Sequence, residues 1–319
     1  MNSLDLPSQR LPNFGGRRLV RVAFLFSLTA RLFAEGEQRF ASPDEAMKAL
    51  ATAAQGRDTN ALHEIFGPEA HELISPDAVQ ASDEFEMFVH RIAEKTEMVR
   101  ESDTKSVLQL GADGWPFPIP LLKQDGQWFF NTPAGKEEIL NRRIGMNETG
   151  AIRVCRAYVN AQREYASEDR NGDQVLEYAQ RLRSLPGSHD GLYWPGGEAG
   201  DISPLGPLVA QARVEGYRRE AKILAEIQSP YHGYYFKILS KQGRHAPGGR
   251  YNYVINGHMI GGFALVAWPA EWGNSGVVTF IVNQQCGVYQ KNLGPKTASI
   301  ASAMKAYDPD STWALAKDE

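Results

Sequence analysis

Cysteine is nearly missing from this sequence. Two stand in 319 residues, Cys155 and Cys286, and with seven scattered histidines they form no zinc-ligand spacing. The apolar run Val22 to Ala30, VAFLFSLTA, is too short to cross a bilayer, so the mature chain is expected to carry no transmembrane span. Positive charge is not in excess, with 34 Lys and Arg against 38 Asp and Glu. That balance argues against nucleic acid as a partner, because such binding draws on phosphate neutralisation, and equally against an anionic membrane surface. A catalytic constellation is missing as well. Gly273-Asn274-Ser275-Gly276 is not a nucleophile elbow, and no His/Ser/Asp spacing stands out.

What is present begins with a basic stretch, Arg17, Arg18 and Arg21, ahead of that nine-residue apolar run. Residues 1–34 therefore read as a signal peptide or targeting segment, and the chain as exported, periplasmic or secreted. Those residues hold five Arg and one Asp; their removal leaves 29 basic and 37 acidic residues, a net charge of −8. In an oxidising compartment Cys155, on a predicted helix, and Cys286, beside the last strands, can meet as a disulfide or stay as two separate thiols.

Residues 40–140 are expected to form a small α+β domain with helices first and antiparallel strands after. Ser42-Pro43-Asp44-Glu45 is a capping box with proline at the first helical position. A second helix starts at Thr59 or Asn60, and a third covers Ser82 to Val99. Ser106–Leu110 is a strand, Trp115–Leu122 an edge strand or polyproline-like segment with three alternating prolines, and Asp125-Gly126 a turn into Trp128-Phe129-Phe130. The order and the Gly126–Thr132 ending resemble an NTF2-like domain. Trp115 and Phe117 are candidates to line a groove.

Residues 146–313 are expected to form a second α+β domain, preceded by a charged connecting helix over Gly135–Gly145. A long helix from Glu148 carries a wide apolar face, and Tyr231 to Leu293 reads as an antiparallel meander. Its strands are Tyr234–Leu239, Tyr251–Ile255, Met259–Trp268, Gly276–Val282 and Gly287–Lys291, with Asn256-Gly257 as a tight hairpin turn. The third and fourth strands are apolar on both faces, so either both faces are covered or one meets a partner. The helices at 148–166 and 207–227 are the candidate covers. Pro295–Tyr307 is a closing helix followed by a fraying tail. Asp169, Asn171, Asp173 and Glu177 place oxygen side chains where a tight loop offers them to calcium, although Gln174 and Gln180 stand where an EF-hand needs Gly and Glu. A solvated turn explains the same residues. Leu182–Gly206 is an irregular Gly/Pro-rich loop, functional or locally packed.

Eight stretches resemble one family: WPFPIPL at 115–121, RRIGMNE at 142–148, AYVNAQREYA at 157–166, GLYWP at 191–195, PYHGYYFKIL at 230–239, MIGGFALVAWPAEWG at 259–273, TFIVN at 279–283 and VYQKNLGP at 288–295. On them the chain is identified as a member of the exported bacterial proteins of domain of unknown function 2950 (DUF2950), from about Phe40 to Trp313. The resemblance carries no activity. It implies glycine where this chain has Gln174, and no cysteine at position 286, hence no family-wide disulfide. Residues 148–293 also resemble the globular module of type IV pilin-like proteins. The apolar N-terminal assembly helix of pilins is replaced by an internal helix bearing Glu148 and Arg153, which implies a soluble pilin-like module.

The leading expectation is therefore an exported, non-enzymatic binding or assembly protein of the cell envelope, with an envelope protein or peptide as partner and no cofactor unless calcium. Trp115, Phe117, Trp194, His232 and Tyr234 are its candidate binding residues. The alternative is a periplasmic hydrolase with His232 or His258 as general base.

Overall fold

Ser42 opens the first helix as its sequence demands. Its Oγ accepts from Glu45 N at 3.1 Å, and the Glu45 carboxylate accepts from Ala41 N, which caps α1 (Pro43–Gln55). The computed structural model describes residues 36–195, 201–217 and 229–317; the expected targeting segment at 1–34 lies outside them. Asp58, rather than Thr59 or Asn60, caps α2 (Thr59–Phe66). A 3-10 turn (Pro68–Leu73) leads to α3 (Ala78–Glu94), which starts earlier than Ser82 because Asp77 takes the cap. It also stops earlier. Gly111 N donates to the carbonyls of Arg91 and Lys95 and closes the helix end, so the next residues leave as β1 (Thr96–Arg100) instead of continuing the helix.

β2 (Lys105–Leu110), β3 (Trp115–Pro116), β4 (Leu121–Gln124) and β5 (Gln127–Phe130) complete an antiparallel sheet in the order β1-β2-β4-β5, with β3 on the far end of β2. The proline-rich segment is two short strands rather than one, because Pro118 and Pro120 offer no N–H and the chain turns between them. Asp125 and Gly126, at φ 53° and 83°, make the expected two-residue turn. Leu50, Ile65, Leu108, Leu121 and Phe130 form the centre of a first core.

The expected border between 140 and 146 falls inside one helix. α4 (Thr132–Tyr165) runs unbroken for 34 residues and absorbs both the connecting helix and the helix expected from Glu148. Its first turns lie on the first sheet so closely that a Cβ on Gly135 would sit 2.5–2.6 Å from Ile119 Cγ1 and Cα. Its later turns bury Ala151, Val154, Cys155, Tyr158 and Ala161 in a second, larger core.

After α5 (Gly206–Val214) come β6 (Tyr234–Leu239), β7 (Lys241–Gln242), β8 (Tyr251–Asn252), β9 (Val254–Ile255), β10 (His258–Met259), β11 (Ala264–Pro269), β12 (Thr279–Asn283) and β13 (Tyr289–Lys291). Then follow α6 (Thr297–Ala303), β14 (Ala306–Tyr307) and β15 (Ala314–Leu315). The main sheet is antiparallel in the order β15-β13-β12-β11-β6, so the meander stands, with β7 to β10 as an excursion from it. The third expected strand divides into β10 and β11 at Gly261-Gly262. The tail does not fray, since β15 pairs with β13.

Every residue of β11 and β12 is buried. α4 covers the face that carries Tyr234, Phe236, Leu265 and Phe280. The other face is covered by α6 and β14. Lys237 on that face donates to the carbonyls of Ala301 and Ser302, a cation at the end of α6. Of the 207–227 helix, the described part is α5, whose Arg213 reaches Tyr193 instead; residues 218–227 lie outside the description. Among the described residues no helix is long and apolar enough to cross a membrane. The fold class is mixed α+β, as expected.

A buried polar seam joins the cores. Arg143, 1% exposed, donates to Glu84 on α3, to the Leu73 carbonyl and, at 2.6 Å, to Asn274 in the β11–β12 connection. One turn on, Asn147 donates to the Ser275 carbonyl and accepts from Gln80. Glu148 Oε1 accepts from Val277 and Val278 N at 3.0 and 3.2 Å, at the approach to β12. Burial pushes the Glu148 carboxyl above its usual range, more than those two N–H donors pull it down.

Two outcomes are expected. Arg143→Ala strands Glu84 and the Leu73 carbonyl and should cost roughly 3–5 kcal/mol in urea denaturation; a loss below about 1 kcal/mol would remove the seam as a tie between the cores. For Glu148 the folded carboxyl binds its proton more tightly than the unfolded one. Stability should fall as pH rises from the unfolded value through the raised folded value. Glu148→Gln keeps the acceptor without the charge. Its melting temperature relative to wild type should therefore rise between pH 4 and pH 7; a flat difference would contradict the assignment.

Candidate functional site

With both faces of the main sheet covered, the open surface is made by loops at the end of α4. Gln162 on its last turns is fully buried, and its side-chain amide acts as a strand. Nε2 donates to the Ala179 carbonyl and Oε1 accepts from Ala179 N, both at 2.8 Å. Tyr158 OH accepts from Gln162 Nε2 and donates to the Ala264 carbonyl. The loop after α4 is thus fastened to the helix, and Tyr178 N continues it onto β10 by donating to the Met259 carbonyl. The opposite wall is the hairpin β9–β10. Asn256 and Gly257, at φ 51° and 93°, form the expected turn and present His258 next to it.

The calcium set does not close as the sequence suggested. Both oxygens of Asp169 accept backbone N–H groups, from Gly172, Asp173 and Gln174, which organises the loop and holds the Asp169 carboxyl below its usual range, chiefly through Gln174 N. Asp169 is thereby spent on a turn. Gln174 sits at φ 68°, a conformation that glycine prefers and that the family resemblance implies for it. Asp173 and Glu177 do come together, with Asn171 Nδ2 donating to both at 2.8 Å. A residue from the other wall joins them: His258 Nδ1 lies 3.4 Å from Asp173 and 3.5 Å from Glu177. Glu177 is nearly buried and also accepts from Met259 N at 3.0 Å.

This cluster lies in a cleft of about 910 Å³. The walls include Tyr165, Tyr178, Gln180, Arg181, Arg183 and Asp190. Burial, with the nearby Glu177 and Asp190 charges, pushes the Tyr165 hydroxyl up to about 12, and it donates to the His189 carbonyl. Burial opposes ionisation of Asp190, but the Ser188 hydroxyl, Leu185 N and Arg181 outweigh it and hold the carboxyl below its usual range. Arg183 Nη1 is buried without a hydrogen-bond partner among the described residues. The cleft therefore offers cations, carboxylates, an imidazole and two aromatic rings.

Most of the aromatic binding candidates lie elsewhere. Phe117 packs in the first core against Phe66, Phe88 and Phe130. Tyr234 is fully buried and donates to the Val278 carbonyl. Trp194 is buried; its Nε1 donates to Asp201 and His189 lies against its ring at 4.3 Å. Tyr234 and Trp194 fill a core and leave no face for a ligand, whereas Phe117, although buried, lines a shallow proline-rich hollow with Pro116, Pro118 and Pro120. Trp115 is half-buried between the guanidinium groups of Arg91 and Arg142. His232, at φ 47°, lies 3.0 Å from Glu215, which also accepts from Tyr231 OH, and its own N donates to Tyr217 OH. It ties α5 to β6, and among the described residues the ring partners of His232 and His258 are carboxylates, not a serine, threonine or cysteine. Arg181, Arg183 and Tyr178 were missed as site residues because nothing in their local pattern separates them from an ordinary loop.

The cysteines do not pair; both are free. Cys155 is buried against the sheet, while Cys286 is exposed and accepts from Arg163 Nη2 at 3.0 Å. Arg163 stands eight residues along α4 from Cys155, roughly 12 Å away, about twice the span of a disulfide. Burial pushes the Cys155 thiol up to about 12. Iodoacetamide on the native chain, read by mass spectrometry, should modify Cys286 alone, with Cys155 reacting only in denaturant; native labelling of Cys155 would refute its enclosure.

No curated protein and no solved structure matches the chain. One family model matches residues 37–316, a span that holds both cores, the whole of α4 and the cleft with Asp173, Glu177 and His258. The chain belongs to the family described as Protein of unknown function (DUF2950).

Proposed function

We propose that this is an exported, non-enzymatic binding protein of the bacterial cell envelope, and that its ligand site is the cleft between the loop after α4 and the β9–β10 hairpin. The observation that carries this reading is the cleft itself: about 910 Å³, lined by Arg181, Arg183, Asp173, Glu177 and Asp190, with Arg181 paired to Asp190. Mixed charge around two tyrosines suits a polar segment of an envelope protein or peptide, which supplies both acidic and amide groups. Export rests on the basic and apolar pattern of residues 17–30. A pilin-like or NTF2-like ancestry is not needed for this reading.

A hydrolytic function is the second reading. It is favoured by one feature, an imidazole beside two carboxylates in an open cleft, which is the arrangement of a general base.

Site-specific photo-crosslinking in cells separates these readings from a purely structural role. A crosslinker at Gln180, in the cleft wall, should trap a discrete envelope partner, and one at exposed Met87 on α3 should not. Equal trapping at both positions, or recovery of the native protein in the cytoplasmic fraction, would sink the proposal.

A further inference from the structure

The floor of the cleft has a second chemical property. Two carboxylates and one imidazole converge there from segments about 80 residues apart in sequence, with one donor atom of each within 4.8 Å of the others. The loop supplies Asp173 and Glu177; the hairpin supplies His258. The spacing from the imidazole is informative. At 3.4 and 3.5 Å, His258 Nδ1 is too far from either carboxylate for a good hydrogen bond, whose N···O distance is about 2.9 Å. It is the right distance for two corners of a tetrahedron. An ion about 2.0–2.1 Å from each donor places its tetrahedral ligands roughly 3.3–3.4 Å apart.

The protein's own amide marks the same spot. Asn171 Nδ2 donates to Asp173 Oδ2 and Glu177 Oε1 at 2.8 Å each, so a partly positive N–H group bridges the two carboxylates. Its Oδ1 is already taken, accepting from Asp173 N at 3.3 Å, which fixes the amide with Nδ2 toward the carboxylates. The nitrogen donor decides the class of ion. Calcium takes six to eight oxygens, whereas a compact set of one imidazole and two carboxylates suits zinc and its first-row neighbours.

We propose that Asp173, Glu177 and His258 bind a divalent first-row transition ion of the zinc class in the cleft. This replaces the calcium set suggested by the sequence, and it deepens the cleft reading because it rests on the same walls. Glu177 is held for the task by Met259 N, and His258 by the Asn256-Gly257 turn. The ion would join the loop to the hairpin, the two walls that any ligand must pass between.

The test uses the full, tag-free chain, stripped with chelator and titrated with zinc, manganese and calcium chloride by calorimetry. One zinc per chain is expected, with calcium at least tenfold weaker. His258→Ala and Asp173→Asn, both at side chains about one-third exposed, should each weaken zinc by more than ~100-fold, beyond the 10–100-fold typical of losing an outer partner. Circular dichroism confirms that each variant is folded, and His258→Gln stands in if the alanine is not. Cobalt in place of zinc should give the visible bands of a tetrahedral site, lost in His258→Ala. Absence of stoichiometric zinc, zinc binding indifferent to both variants, or calcium as tight as zinc would each overturn the proposal. Crosslinking at Gln180 needs no ion, so a chain that crosslinks but binds no zinc sinks the ion and spares the cleft.

Discussion

One helix has to satisfy two cores at once, and the rest of the molecule is arranged around that constraint. α4 is 34 residues long, about 50 Å. Its apolar positions are too thinly spread to hold it by burial alone, and its buried polar residues supply the remaining contacts. Arg143 and Asn147 reach across the seam, Glu148 supplies an acceptor to the approach of β12, and Gln162 pairs with Ala179 as a strand would. Each is buried or partly buried, so each must be fully bonded or costly. Their partners come from α3, from the β11–β12 connection and from the loop after α4, which makes the helix a common reference for all three.

The cleft inherits its form from that reference. The loop after α4 is a surface segment rich in Asp, Asn and Gly, yet it is held at both ends: by Asp169 on its own backbone and by Gln162 and Met259 on neighbouring elements. The carboxylate pair is thereby kept close without a charge between it, with Asn171 softening the repulsion.

Much of the secondary structure was legible because it is local chemistry. Ser42 and Glu45 cap a helix wherever the chain goes, and Asp125-Gly126 and Asn256-Gly257 turn tightly because both central residues tolerate positive φ. The two-sided apolar pattern of Ala264–Trp268 and Phe280–Val282 left two options, cover on both faces or a partner on one, and every residue of β11 and β12 is buried. The identity of the second cover was not legible. α6 is a seven-residue helix of mostly small residues with little amphipathic signal, and it packs with β14 on the sheet's far face. The aromatic residues misled for a related reason. Phe117, Trp194 and Tyr234 have the composition of a binding surface, but large rings are also what fills a core, and local pattern does not separate the two.

By itself the sequence determined the Ser42 cap, the tight turns, the meander, the acidic balance and the family. It also singled out the loop of Asp173 and Glu177. Tertiary structure alone decided that Asp169 would be spent on its own backbone, that Cys155 would be enclosed and Cys286 exposed without pairing, and that His258 would arrive beside a loop some 80 residues earlier in the chain. The physical reason is range. Caps and turns depend on neighbours within about four residues, whereas a site built from two walls exists only once long-range packing has placed the helix that holds one and the sheet that carries the other.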